Sequence, residues 1–264
     1  MITYTIDRIW PYLAVSLASV SGTVYILSFV GRQFKTVGYL CQLLGEQYGF
    51  VRTKYHVGYE IGEDGSATVK TMEALRSINA PIQGVEHYTA VLTSLEDTLG
   101  KFRVSLSERY SGTSNIKVLP KLILSTPNRL YFQLLFEPSI MVGKELEYVY
   151  EVNNPPSTFV RSQEELVKRG LPYDYISMKI AYPTEEFAVK ITFPLGLDID
   201  QVSFDVWMGD ARLRLDKEYQ RLKNGAALIV RRQGQNQIAE LVVKYPILDL
   251  KYAVTWRPVL ISGG

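Results

Sequence analysis

The chain has 264 residues, with 29 Lys and Arg against 27 Asp and Glu, a formal net charge of +2, 47% hydrophobic and 21% charged side chains. That balance excludes a largely disordered chain, and near-neutrality removes the general electrostatic reason to expect nucleic acid as a partner. One cysteine excludes an intrachain disulfide or a cysteine-based zinc cluster, and the length allows one large domain or two small ones.

The charges are unevenly spread. Residues 1–50 carry only Asp7, Arg8, Arg32, Lys35 and Glu46, and Ile9–Val30 is an uncharged run. As a helix that run spans roughly 33 Å, close to the hydrocarbon core of a bilayer. Trp10 and Tyr12 stand near one end, where amphipathic rings favour the membrane interface. Ala14, Ala18 and Gly22 recur at a spacing of four, which lets membrane helices approach closely. Arg32 and Lys35 after the run, against Arg8 before it, favour a cytoplasmic location for the C-terminal remainder of the chain. The leading expectation is a single-pass membrane helix. Two others stay open. Tyr12, Ser16, Ser19, Ser21, Thr23 and Tyr25 suit a buried element, with Thr23–Phe29 a buried strand, and a cleaved signal peptide would have Asp7 and Arg8 in its n-region.

Thr36–Tyr48 places Val37, Leu40, Leu44 and Tyr48 at helical spacing and predicts a short amphipathic connector helix. From residue 51 the period changes to two. Val51, Thr53, Tyr55, Val57, Tyr59 and Ile61 alternate, Asp64-Gly65 makes a favoured turn, and Ala67, Val69 and Thr71 alternate after it, so 51–74 predicts a β-hairpin. Strands are then expected at Val85–Leu92, Phe102–Arg109, Ile116–Leu124, Arg129–Phe136, Leu146–Val152, Ile176–Tyr182, Ala188–Phe193, Val202–Met208, Ala226–Arg231, Ile238–Lys244 and Tyr252–Trp256, with Pro, Gly, Asn or Asp between them. Ser162 to Glu165 fits a capping box ahead of one short helix, which Gly170 and Pro172 stop. The expected fold is mainly β, an antiparallel sandwich or barrel-like body over 51–264, preceded by the apolar helix and connector of 1–50. A sub-boundary is placed near 110–115, where the sequence is small and polar.

Chemistry is sparsely signalled. The two histidines, His56 and His87, lie on predicted strands without a third metal ligand and read as structural. Cys41 has no partner in the sequence and reads as packing, with membrane-proximal palmitoylation as the alternative. There is no Gly-x-Ser-x-Gly elbow, no His-Glu-x-x-His and no phosphate-binding glycine loop. Asp198, Asp200 and Asp205 lack the glycine of a calcium loop and read as a solvated turn. Glu145, Glu147 and Glu151 share one strand face and read as an exposed rim. The one local concentration of charge is basic. Lys217, Arg221, Lys223, Arg231 and Arg232 flank Asn224-Gly225 and gather at one hairpin end if Leu215–Arg221 pairs with Ala226–Arg232. Such a patch suits a phosphate-bearing ligand, an anionic headgroup or nucleic acid, though local aromatic interleaving for single-strand stacking is missing. The bland reading is a solvated hairpin tip. No catalytic residue, cofactor or metal is assigned.

Three phrases form a recognisable set: Gly143-Lys-Glu-Leu-Glu-Tyr-Val-Tyr-Glu-Val, Tyr182-Pro-Thr-Glu-Glu-Phe-Ala-Val-Lys-Ile-Thr-Phe-Pro and Tyr252-Ala-Val-Thr-Trp-Arg-Pro. Over roughly 115–258 the chain resembles the β-rich accessory domains of bacterial signalling and conflict-defence proteins. The resemblance implies successive sandwich strands, a closing tyrosine–tryptophan strand and a non-enzymatic sensing or interaction role, often coupled to an effector element. The leading functional expectation is accordingly a membrane-anchored sensor. Its β domain would bind a ligand or partner and control clustering of the N-terminal helices through Ala14, Ala18 and Gly22. Expected partners are membrane lipid, a protein partner or second copy, and a small anionic ligand. The alternatives are a soluble assembly subunit with its apolar N-terminus at an oligomer interface, and an enzyme whose site the sequence does not reveal.

Overall fold

The computed structural model describes residue 38 and residues 40–90, 103–106, 115–126, 129–154, 158–160, 162–195, 197, 199–208, 211–212 and 225–258. Helix α1 covers 40–48. Seven strands come next along the chain: β1 (Phe50–Ile61), β2 (Ala67–Ser77), β3 (Ile82–Ala90), β4 (Arg103–Leu106), β5 (Lys117–Thr126), β6 (Arg129–Ile140) and β7 (Glu145–Asn154). Helix α2 (Gln163–Lys168) leads to β8 (Asp174–Lys179), β9 (Glu186–Thr192), β10 (Ile199–Met208), β11 (Ala211–Arg212), β12 (Ala226–Gln233), β13 (Asn236–Lys244) and β14 (Leu250–Pro258). The mainly β expectation holds.

The strands form three sheets. A large sheet runs β12-β13-β9-β1-β2-β7-β4, a four-stranded sheet β11-β10-β14-β8, and a three-stranded sheet β3-β6-β5. Two finer expectations need correction. The large sheet is mixed, because β9 joins β1 in parallel (Tyr55↔Phe187 to Glu60↔Thr192). No sheet closes into a barrel among the described residues, since each retains two edge strands.

The predicted alternation decides which face is buried. Tyr55, Val57, Tyr59 and Ile61 of β1 share a face with Val69 and Leu75 of β2, Tyr148, Tyr150 and Val152 of β7, Phe187, Val189 and Ile191 of β9, and Leu241 and Val243 of β13. Both small sheets cover this one face. The four-stranded sheet packs over β9, with Phe187 5.8 Å from Tyr252 (ring centroids) and Phe193 5.2 Å from Trp256. The three-stranded sheet packs over β7, with Phe136 5.5 Å from Tyr148 and Phe132 5.6 Å from Tyr150. One hydrophobic core runs through all three sheets, and burial of such aromatic and aliphatic area is the main stabilising contribution.

Local signals behave as their chemistry requires. Gly65 takes φ +75° in the β1–β2 turn, and the Asp64 carboxylate accepts from the Ser66 amide at 2.9 Å. The Ser162 hydroxyl caps α2 by accepting from the Glu165 amide at 3.1 Å. The Glu165 side chain instead pairs with Arg169. In α1 the buried side is Cys41 and Gly45, with Leu40 and Tyr48 exposed, which corrects the predicted stripe. A Cβ at Gly45 would stand 2.2 Å from Val51, so the helix lies on β1 only because that position lacks a side chain.

The Ile9–Val30 expectation, with Trp10, Tyr12, Ala14, Ala18 and Gly22, lies outside the described residues. Among the described residues no helix is long and apolar enough to cross a membrane.

Candidate functional site

The two small sheets leave a seam above the large one. A cleft of about 310 Å3 opens there, floored by β1, β2 and β7 and walled by β3 and Tyr131 on one side and by 177–182 on the other. Its size lies at the lower end for small-ligand sites.

A bulge creates the floor. The β1–β2 register slips between Arg52 and Lys54, which reverses side-chain parity across Thr53. Thr53, expected on the buried face, turns outward and donates to Glu145 at 3.1 Å. Arg52, expected outside, turns inward and is 2% exposed. Its guanidinium lies between two rings, 4.1 Å from the Tyr55 centroid and 5.0 Å from that of Tyr182.

Glu73 of β2 meets Arg52 from the next strand and is fully buried. Four groups surround it. Arg52 Nη2 is 3.4 Å away, the Tyr148 hydroxyl donates at 2.6 Å, the Tyr150 hydroxyl lies at 3.4 Å, and His87 Nδ1 at 3.7 Å. His87 is also 3.0 Å from the Tyr150 hydroxyl and stacks on Phe132 at 5.1 Å. A charge taken out of water is tolerated only when paired and hydrogen-bonded, and this cluster supplies both.

The electrostatics are set by burial. Loss of water pushes the His87 imidazole down to about 4; the Glu73 carboxylate opposes that shift and Arg52 adds to it, so the ring is neutral near pH 7. Burial works against the Arg52 charge, but Glu73 and the surrounding phenols more than offset it, and the guanidinium stays protonated. Burial, then the Glu73 charge, raises the Tyr148 and Tyr150 phenols well above their ordinary range.

Three buried polar atoms on cleft-lining residues have no hydrogen-bond partner among the described residues: Arg52 Nε, His87 Nε2 and Asn154 Oδ1. Either tautomer of His87 leaves Nε2 unmatched while Nδ1 serves Tyr150. Orphaned buried groups are few in folded proteins and call for an explanation. Three lie on residues of this one cleft, beneath its surface, and His56 Nε2, Trp207 Nε1 and Trp256 Nε1 share the condition elsewhere among the described residues.

Tyr182 closes one end. Its ring covers Arg52, and its hydroxyl accepts from the Glu86 amide at 3.4 Å. On its other side the ring meets Phe50 (5.1 Å) and, edge-on, Tyr48 of α1 (6.4 Å). One side chain thus touches both the cleft and the helix that succeeds the N-terminal segment.

The sequence-predicted groups fall elsewhere. Arg231 and Arg232 lie on β12, which turns through Gly234 to pair with β13, and Arg231 bonds Glu240 at 3.1 Å. Lys217, Arg221 and Lys223 lie outside the described residues. His56 sits on the outer face of the large sheet, 2.6 Å from Glu186, so the two histidines are not neighbours. Glu145 and Glu147 bond Thr53 and Lys54 on that outer face. Asp205 lines a second concavity, of about 350 Å3, with Ser203, Thr255 and Arg257. The side chains of Asp198 and Asp200 are not among those described. Cys41 is buried, and burial followed by the Glu185 charge raises its thiol to about 11. No group of three His, Cys, Asp or Glu suited to a metal occurs among the described residues. Glu73 could have been found, since the alternation Ala67, Val69, Thr71 continues to it. Arg52 carried no such signal, because the bulge defeats the period.

No protein-family model and no curated protein matches the chain. Among solved structures, an M1 zinc metallopeptidase from Deinococcus radiodurans aligns over 78% of this chain and 42% of its own length, with 9% identity and a TM-score of 0.40. The μ-homology domain of yeast δ-COP-I aligns over 81% and 76%, with 11% identity and a TM-score of 0.19. The chain spans about two fifths of the length of the metallopeptidase it aligns with. At these TM-scores the likenesses carry no argument about this chain.

Proposed function

We propose that the chain is a non-enzymatic ligand-binding sensor, whose ligand enters the cleft between the two small sheets and is read out through α1. One observation carries the reading. Tyr182 packs at once on Arg52 in the cleft and on Tyr48 of α1. A ligand that displaces Tyr182 from Arg52 changes the support of α1, and through it the segment before residue 38. The apolar run Ile9–Val30 supports a membrane anchor as the effector, clustering through Ala14, Ala18 and Gly22. The bacterial defence and signalling resemblance agrees with that division of labour.

The test is hydrogen–deuterium exchange of the full chain with Tyr182→Ala. Faster exchange of the amides in 40–48, with β13 and β14 unchanged, is the expected result; equal exchange sinks the coupling. Native mass spectrometry of wild-type protein should show a retained ligand that Tyr182→Trp, which fills the cleft, excludes. Carbonate extraction addresses the anchor: a chain released without detergent ends the membrane reading.

A second reading, a soluble assembly subunit, has one observation in its favour. The edge strand β5 turns Leu119, Leu122, Ile123 and Leu124 to solvent, Leu122 by 60%. Long apolar edges invite pairing with another strand. A defined oligomer in light scattering, dispersed by Ile123→Lys, would favour it.

A further inference from the structure

We propose that the ligand of this cleft is an extended peptide, inserted as a strand between β3 and β8; the inference rests on the cleft being a ligand site. Two sheet edges border the cleft. β3 pairs only with β6, and β8 only with β14, among the described residues. The Glu86 amide points away from β6, since it donates to the Tyr182 hydroxyl. Strand alternation gives the Tyr88 amide and carbonyl the same direction. On the opposite wall, Ile180 directs both its groups toward β14, donating to the Leu250 carbonyl at 2.9 Å and accepting from the Asp249 amide at 2.8 Å. Alternation then turns the main-chain groups of Ser177 and Lys179 away from β14. Glu86, Tyr88, Ser177 and Lys179 all line the cleft. Among the described residues, two edges without a strand partner therefore face each other across it.

Neighbouring strands lie about 4.8 Å apart, so an inserted strand needs roughly two such intervals between the edges. Beyond the end of β8, the Tyr182 side chain and one hydrogen bond of 3.4 Å reach across to the Glu86 amide of β3. The Tyr182 hydroxyl occupies the place of a peptide carbonyl. Its bond to Glu86 is long for N–H···O, so a strand carbonyl at ordinary distance displaces it readily. A strand also sends alternate side chains to the floor. There Tyr55, Val57, Tyr59, Tyr150 and Val152 line an apolar and aromatic floor. Apolar or aromatic side chains on the peptide suit it. A compact molecule can cover the floor but leaves the two edges to water; main-chain recognition by strand addition covers the floor and pairs the edges.

The test pans a phage library of random linear peptides on the full-length protein. The enriched peptide is then synthesised with N-methyl groups at alternate backbone nitrogens, in each of the two registers. Residues of an inserted strand face β3 and β8 by turns, so both registers should weaken binding by roughly tenfold or more, the loss of one or two main-chain hydrogen bonds. Insensitivity of either register overturns the inference. Tyr88→Pro removes a cleft-facing amide without touching the β6 ladder and should weaken binding similarly. If that variant misfolds, the methylated pair on wild-type protein still decides. Failure to enrich any linear peptide, while native mass spectrometry shows a bound small ligand, overturns the strand and leaves the cleft. Failure of both overturns both.

Discussion

The two faces of the large sheet solve the same electrostatic problem in opposite ways. On the outer face Lys54 meets Glu147 at 2.9 Å, and Glu186 pairs with both His56 and Lys244, all with water access. On the inner face Arg52, Glu73 and His87 are 2%, 0% and 8% exposed and wrapped in tyrosines. Strand neighbours thus carry ion pairs on both sides, but only the inner ones have lost their solvent. Exposed pairs gain little and are screened. Buried ones depend wholly on their partners. The difference teaches that the inner cluster rests wholly on its own partners, and that Arg52 Nε and His87 Nε2 are where those partners fall short.

The sharpest way to break the comparison is to remove Glu73. Glu73→Ala strands the Arg52 charge in the core and should cost about 3–5 kcal/mol in urea unfolding. The double variant Arg52→Met/Glu73→Leu should recover most of that loss, since apolar replacement of a buried pair is often neutral. A single variant costing under ~1 kcal/mol, the range of an exposed pair, would show that the inner pair is no different from the outer ones.

Acid should divide the faces next. Unfolded histidine takes its proton near 6.5, whereas His87 in the folded chain takes it only at about 4. Between those values the unfolded chain binds more protons, so its contribution is fully present above pH 6.5 and lost as pH falls through the window. The loss amounts to about 3 kcal/mol by pH 4. Asp174 acts with the opposite sign. Burial raises its carboxyl to about 7 against the pull of amide bonds from Val160 and Tyr175, so it favours the folded state on acidification. The readout is therefore the difference between wild type and His87→Phe at pH 7.5 and pH 4, which share Asp174. Identical pH slopes would remove His87 from the account. A smaller effect is expected from Tyr148→Phe, which deletes one hydrogen bond to the buried carboxylate. Thermal or urea unfolding should show a loss of about 1.5–3 kcal/mol.

Most of the frame can be read from the chain. The hairpin at 51–74, the strand series and the cap at Ser162 rest on period-two alternation, turn chemistry and side-chain-to-amide bonding, all of which are local. The parallel pairing of β1 with β9 is not local, and nothing in either strand announces it. The site is legible by halves. Alternation through Thr71 carries Glu73 inward, and Tyr148 and Tyr150 lie opposite the glutamates of β7. Arg52 reaches the same cluster only because Thr53 bulges, and His87 only because a separate sheet folds over β7. The basic residues that stand out in the sequence do so by clustering on either side of Asn224-Gly225, and nearness along the chain says nothing of burial.

The smallest expected effect is also the control for all the others. A double-mutant cycle on Lys54 and Glu147 measures the outer pair directly. Lys54 is 46% and Glu147 28% exposed at the side chain, so their coupling should be ~0.2–1 kcal/mol. It should fade in 1 M salt, where the screening length falls to about 3 Å. The parallel cycle on Arg52 and Glu73 should give a coupling several times larger that salt leaves in place, because no ions enter the core. Equal couplings, or equal salt sensitivity, would mean that water reaches the floor of the cleft. Arg52 Nε and His87 Nε2 would then have solvent as their partner.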